Sequence, residues 1–373
     1  MLQMIVVGVL VALAHWLLYR RLVLAPGVGG VARIAAAVLL GVLWIAAVAA
    51  AGAGSVFAPG PVRALIWLGW VWFAVLFYLL LGLLVIGVVL LILRVAGSTR
   101  RTRWLRVLSA VLVVAAVGAV GVGVFQAERI RVVETEARFA NLPESFDGLR
   151  VAVVSDLHVG AARGPGFSER VVELVNAQQP DLIVIPGDLI DGSVELVGSD
   201  IAPLAGLRAK YGVLGVAGNH EGYVDDVATW LDFWETLGIE TLRNEHTELT
   251  VDGATIDIAG VYDYDESAPY APDLTAALDG TDPGRFTLLL AHQPRQVIEA
   301  ADRGGIELQL SGHTHGGQMW PFVYPVRWAN PTVSGWDRFG DLRIYTTVGV
   351  GAWGPPVRLG VPPEIVMLTL RRG

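Results

Sequence analysis

The stretch Leu310-Ser-Gly-His313-Thr-His315-Gly-Gly-Gln318 places two imidazoles two residues apart, with glycine on both sides. Just ahead of it, Glu307-Leu-Gln-Leu310 has the character of a buried strand, so the pair lies where a strand opens into a loop. Glycine lets the backbone there approach a ligand closely and take dihedrals that a side chain forbids. Imidazole is the commonest neutral metal ligand, and two of them at a rigid strand end suit a divalent cation. The 373-residue chain holds only seven histidines, and three of the others stand in comparable places.

Outward from that loop, the region after Ala127 alternates strand and helix. Leu149–Ser155, Asp181–Pro186 and Gly212–Ala217 read as strands. Helices are expected over Ser168–Gln178, with Ser168 as a candidate cap, and near Asp225–Leu237. Glu248–Val261 reads as a hairpin around Asp252-Gly253. Arg285–Ala291, Glu307–Leu310, Leu342–Val348 and Glu364–Leu370 complete the strands.

Polar residues gather at the strand ends, where open α/β sheets hold their ligands. Ser155-Asp156-Leu-His158 follows the first strand, Gly187-Asp188-Leu-Ile-Asp191 the second, and Gly218-Asn219-His220-Glu221 the third. His292 follows Arg285–Ala291. Each piece alone has a plain reading as a turn, a helix cap or a core histidine. Five strands that all end in metal-capable side chains set those plain readings aside.

The charges divide the chain. All 35 acidic residues lie from Glu128 onward, while residues 1–127 carry nine arginines and no other charge. The C-terminal part keeps 18 basic against 35 acidic residues, so it lacks the basic face of a nucleic-acid binder. Without cysteine, neither a disulfide framework nor a thiolate metal site can form.

Met1–Tyr19, Ile34–Val62, Ala64–Leu93 and Val107–Ala127 are uncharged, and each can supply the roughly 20 apolar residues of a transmembrane helix. The expected spans are residues 2–19, 32–54, 64–93 and 107–126, within a membrane domain 1–127 ahead of a second domain 128–373. A signal peptide is the rival reading of the first stretch, but Arg20-Arg21 follow the apolar run and no cation precedes it. Three arginines sit in the first loop and five in the third, against Arg63 alone in the second. By the positive-inside rule, the N-terminus and the C-terminal domain are extracytoplasmic and the protein is multi-pass in the cell membrane.

The ordered series D-x-H, G-D-x-x-D, G-N-H-E, H, G-H-x-H resembles the calcineurin-like metallophosphoesterases across residues 145–371. Gly-His-Thr-His-Gly-Gly-Gln and the closing Gly349-Val-Gly…Pro356-Val-Arg358…Pro363-Glu364-Ile are similar to its bacterial membrane-associated subgroup. The four apolar spans are similar to those of transmembrane metallophosphoesterase-domain proteins. The resemblance implies an α/β fold, a four-layer αββα sandwich, and two divalent metal ions (Mn²⁺, Fe or Zn²⁺). It implies Asp156, His158 and His315 on one ion, Asn219, His292 and His313 on the other, and Asp188 bridging both. A hydroxide shared by ions roughly 3.5–4 Å apart then attacks a phosphate ester in line. His220, left without a metal, protonates the leaving oxygen, and Asp191 orients it.

Between Met319 and Phe339 stand Trp320, Phe322, Tyr324, Trp328, Trp336 and Phe339. They form an apolar wall for a lipid tail or bilayer surface, or else they pack a long loop. The expected function is a membrane-anchored, metal-dependent phosphoesterase acting on a lipid- or envelope-linked phosphate ester, with no nucleic-acid partner. The alternatives are a tethered nucleotide or cyclic-nucleotide phosphodiesterase and a non-catalytic metal-bound sensor.

Overall fold

Four long helices fill the first 127 residues of the computed structural model, which describes residues 2–373. They are α1 (Leu2–Leu18), α2 (Gly30–Gly52), α3 (Arg63–Val95) and α4 (Arg101–Ala127), and all four are long and apolar enough to cross a membrane. A π-helical turn carries α1 on to Leu24. α4 starts six residues before the expected span because the arginines of 101–106 end an apolar run without breaking a helix. Small residues draw α2 and α3 together: Gly69 lies against the backbone of Ala46 and the methyl of Ala50. At 33 residues α3 is about 50 Å long, so it outruns the roughly 30 Å of a bilayer core.

The remaining chain builds fourteen strands: β1 (Arg131–Phe139), β2 (Arg150–Val153), β3 (Val159–Gly160), β4 (Leu182–Pro186), β5 (Ile190–Asp191), β6 (Val213–Val216), β7 (Glu240–Thr241), β8 (Glu245–Val251), β9 (Ala254–Gly260), β10 (Thr287–Leu290), β11 (Leu308–Ser311), β12 (Gly335–Phe339), β13 (Leu342–Thr346) and β14 (Glu364–Arg372). One mixed sheet runs β1-β14-β2-β4-β6-β7 and the other β12-β13-β11-β10-β9-β8, while β3 pairs with β5 alone. Residues alternate between two cores, as a strand's period of two requires. Val151, Val153, Leu182 and Val184 meet Ile256, Ile258, Leu288 and Leu290 between the sheets. Ala152, Ile183 and Ile185 face the other way, onto helices α5 (Pro165–Ala177), α6 (Val194–Ile201) and α7 (Val227–Thr236). Helices α8 (Leu274–Ala277) and α9 (Val297–Arg303) cover the second sheet. The layers are therefore α, β, β, α, as the resemblance implied.

Three local expectations differ. α5 begins at Pro165, whose fixed φ suits a first helical position. Ser168 is thus inside the helix, buried, with Oγ donating to the Asp200 carbonyl at 2.8 Å, and is no cap. β1 and β12 were not expected. Both are edge strands, whose charged outward residues (Glu134, Glu136, Asp337, Arg338) mask the inward alternation.

The helical bundle meets the sandwich at several points. Gly54, in the α2–α3 turn, accepts a hydrogen bond from Ser193 N at 2.9 Å. The Arg358 amide donates to the Gly123 carbonyl of α4 at 2.9 Å, and Tyr78 of α3 donates its hydroxyl to the Trp320 carbonyl at 2.7 Å. These contacts bring the strand-end loops down against the bundle.

Candidate metal centre

Five strand ends deliver the predicted side chains to one place. Asp156 and His158 follow β2, Asp188 follows β4, Asn219 follows β6, His292 follows β10, and His313 and His315 follow β11. Asp156, His158, Asp188, His313 and His315 all have φ between 48° and 72°. Non-glycine residues seldom adopt that region, and such strain collects at functional sites. Glycines make the crowding tolerable: a Cβ on Gly218 would strike Asp188, and one on Gly312 would strike Asp156.

The side chains form two groups on either side of Asp188. In the first, Nε2 of His158 lies 2.9 Å from Nε2 of His315, which lies 3.5 Å from Asp156 Oδ1. In the second, Asn219 Oδ1 lies 3.1 Å from both His292 Nε2 and His313 Nδ1. Asp188 Oδ2 is 3.6 Å from His158 Nε2 and 3.2 Å from His292 Nε2.

Surrounding hydrogen bonds settle how the ligands face. His292 Nδ1 donates to the Pro186 carbonyl at 2.7 Å, which turns the lone pair of Nε2 inward. His158 Nδ1 donates to Asp191 Oδ1 at 2.9 Å with the same consequence. Asn219 gives its NH₂ to the Tyr223 hydroxyl at 2.5 Å, so its oxygen points to the histidines. The buried carboxylate of Glu221 accepts the amides of Asp188, Leu189 and Gly218, tying the second and third motifs together.

The donor set fits divalent cations. Asp156 Oδ2 is buried without a hydrogen-bond partner, and two imidazole nitrogens face each other at 2.9 Å. Burial pulls His292 down, yet the Asp188 and Asp156 carboxylates outweigh it and hold it well above its ordinary value. Burial, together with His292, pushes His313 down to about 3. Such a site draws positive charge to its centre beside Asp188, while His313 offers an unprotonated nitrogen. Oxygen and imidazole ligands without thiolate suit Mn²⁺, Fe or Zn²⁺.

His220 stands beside this cluster and joins neither group. Its Nδ1 lies 2.7 Å from Asp191 Oδ1, the same oxygen that receives His158. Burial opposes its charge, but Asp188 and Asp191 overcome that and raise its pKa to about 9. Sequence reasoning paired Asp191 with His220 and missed its bond to His158. It also missed Tyr223, whose ring packs 4.6 Å from that of His220, and Arg358. Arg358 is fully buried and donates to the His315 carbonyl at 2.8 Å and to that of Gly351 at 2.7 Å, locking the G-H-T-H turn. A Tyr four residues after Asn219 carries no signal of its own, and Arg358 stood only within the closing motif, with no role read from it.

The aromatic segment divides. Trp336 packs between the sheets, with Nε1 on Thr135 Oγ1 at 2.8 Å, and Phe339 packs under α9. Trp320, Phe322, Tyr324 and Trp328 are exposed, on and before the short helix α10 (Val323–Ala329). Phe322 meets Phe77 of α3 edge to face, with ring centroids 6.5 Å apart.

Residues 149–317 match the calcineurin-like phosphoesterase family. An uncharacterized metallophosphoesterase of Helicobacter pylori is 38% identical over 225 residues, 60% of each chain. A transmembrane protein with metallophosphoesterase domain from Bos taurus is 34% identical over 291 residues, 74% of this chain and 66% of its own. The chain thus spans less than two thirds of the length of either. An uncharacterized metallophosphoesterase of Aquifex aeolicus is 33% identical over 244 residues, which cover 89% of that protein and 64% of this one. Taken with the two ligand groups around Asp188, that coverage places the chain in the calcineurin-like phosphoesterase family.

Proposed function

We propose that this protein is a membrane-anchored phosphoesterase that works with two divalent ions on phosphate esters presented at the membrane surface. The observation that carries the reading is Asp188, set between two imidazole groups with His220 alongside. Asp156, His158 and His315 would hold one ion, Asn219, His292 and His313 the other, with Asp188 touching both. Bound ions would supply Lewis-acid activation of water and charge neutralisation at the phosphoryl group. The chain's own part is to orient those ligands through Asp191, Pro186 and Tyr223, and to hold a proton on His220 Nε2 for the leaving oxygen.

Residues 1–127 serve as the anchor and residues 128–373 as the catalytic domain. Eight of the nine arginines, all but Arg63, lie in or near the loops at the bundle end away from the sandwich, which supports an extracytoplasmic site. Exposed Trp320, Phe322, Tyr324 and Trp328 beside α3 support a substrate with an apolar tail. The full-length chain, assayed with Mn²⁺ against bilayer-embedded phospho-lipids and soluble nucleotides, is expected to favour the lipids. A preference for nucleotides would replace the lipid reading. Protease added to intact spheroplasts should degrade the C-terminal domain, and its protection would reverse the topology.

A further inference from the structure

We propose that the groove between α4 and the α1–α2 turn binds one anionic phospholipid, with its phosphate on Arg106 and Ser109 and an acyl chain along α4. The groove has a volume of about 580 Å³ and lies at the end of the bundle remote from the metal centre. It is independent of the phosphoesterase reading.

Charge singles out this groove. Residues 1–127 contain nine arginines and no carboxylate, so no arginine can be neutralised within the bundle. Arg63 escapes this by reaching Asp200 of the sandwich at 2.8 Å. Arg20 lies over the Trp16 ring, 4.7 Å from its centroid. Arg106 is held differently: its Nε donates to the Pro26 carbonyl at 2.6 Å, and among the described residues no acid pairs with it. The guanidinium rests on Gly27, which has φ +82°, and a Cβ there would stand 3.2 Å from Nη2. An arginine fixed by its Nε presents its Nη groups as a preset fork for a phosphate.

Ser109 supplies the second polar group. It lines the groove, is buried, and its Oγ has no hydrogen-bond partner. A hydroxyl in a membrane helix ordinarily bonds back to its own helix, and one left unpaired in an apolar setting is costly. A phosphate oxygen bound by Arg106 lies one helical turn away, since residues three apart share a face.

The same spacing continues without charge. Ala110, Val113 and Val114 follow at i+4, i+7 and i+8 from Arg106, and Leu22 and Val28 close the other wall. Val113 and Val114 are exposed on the outside of the bundle. A polar end with a fixed cation that leads into an apolar trough matches a phospholipid, headgroup first, and fits neither a free anion nor a protein segment. Arg100, Arg101 and Arg103, just beyond the polar end, add to the attraction for negative lipid.

Native mass spectrometry of the full-length chain, titrated with phosphatidylglycerol or phosphatidylcholine, tests the assignment. The expected result is one phosphatidylglycerol retained per chain, in preference to phosphatidylcholine. Arg106→Gln should weaken it about tenfold or more, as loss of a charged hydrogen-bond partner does, and Ser109→Ala less. Arg106→Lys, which keeps the charge but loses the fork and the bond to Pro26, should retain only part of the binding, and Arg20→Gln all of it. Equal retention of both lipids, or an Arg20→Gln loss as large as that of Arg106→Gln, overturns the site in favour of diffuse attraction. Displacement of the lipid by inorganic phosphate alone overturns the choice of occupant. If Arg106→Gln does not fold, the lysine and Ser109→Ala variants decide the matter by the same measure.

Discussion

Arg63, at the first turn of α3, donates through Nη1 to the Gly160 carbonyl of β3 at 2.6 Å. Gly160 is two residues beyond His158, and β3 pairs with β5, which ends in Asp191. The other side of the same guanidinium pairs with Asp200, at 2.8 Å and largely buried. The bundle therefore braces from below the short ribbon that adjoins His158, a proposed metal ligand, and ends in Asp191, the partner of the proposed general acid.

That brace yields a prediction. Arg63→Ala leaves a buried carboxylate and a carbonyl without partners, a loss of about 1–3 kcal/mol. The melting temperature should fall, and kcat should fall further for poor leaving groups than for nitrophenolate, because the ribbon positions Asp191. Arg63→Lys should restore stability more than kcat, since an ammonium cannot serve both oxygens in the same fork geometry. Equal losses for all leaving groups would reduce Arg63 to a structural tether.

Asp188 is the carboxylate both ligand groups share, so Asp188→Asn should cost more metal and more activity than any other ligand change. Elemental analysis should give two divalent ions per wild-type chain, and a chelator should abolish activity and lower the melting temperature. The stability loss follows because Asp156 Oδ2 is buried with no other partner. One ion or none in an active, chelator-resistant preparation ends the two-ion scheme.

His220→Ala should keep both ions yet lose about 10²–10⁴-fold in rate on poor leaving groups, and little on nitrophenyl esters. The pH dependence has a definite sign. With its pKa raised to about 9 against an ordinary value of 6.5, His220 carries a proton at neutral pH, as the proposed acid must. Activity therefore declines as pH rises through the folded value. Asp191→Asn removes one of the charges that raise it, so the alkaline decline should move to lower pH. An alkaline limb that stays in place in Asp191→Asn would detach the pair from catalysis.

The gathering of the candidate ligands was legible because each short apolar run breaks off into a chemical signature, and a strand end is where such a break places a side chain. Asp156-Leu-His158 and His313-Thr-His315 announce themselves in three residues. The brace was not legible: nothing in Arg63 tells of Gly160, 97 positions away, until the α2–α3 turn is folded against β5. β1 was missed because its inward residues, Val133, Thr135, Ala137 and Phe139, are interleaved with Glu134, Glu136 and Arg138 on an open edge. Composition alone could not divide the aromatic run. Trp336 is half-buried by the sheet register of β12 against β13, while Trp328 lies on a helix with no buried residue.

The exposed half of that run carries the last prediction. Phe322 touches Phe77, and Trp320 is tied to Tyr78 through its backbone carbonyl, so these two exposed rings stand beside α3 and Trp328 follows six residues on. Tyr78 lies 15 residues into α3, and 17 residues remain to Val95, a length of about 26 Å. That nearly fills a bilayer core of roughly 30 Å, so a membrane crossed by this part of α3 would put Tyr78 and the rings near an interface, where tryptophan and tyrosine concentrate. Replacing Trp320, Phe322 and Trp328 together by serine should raise KM for a bilayer-embedded phospho-substrate on the order of tenfold. At about 25 cal/mol per Å², roughly 55 Å² of lost apolar contact suffices for that. Serine at 320 keeps the carbonyl that Tyr78 binds, so the fold should survive and turnover of a small soluble ester should hold steady. A variant that loses both activities alike would make these rings packing residues and remove them from substrate binding.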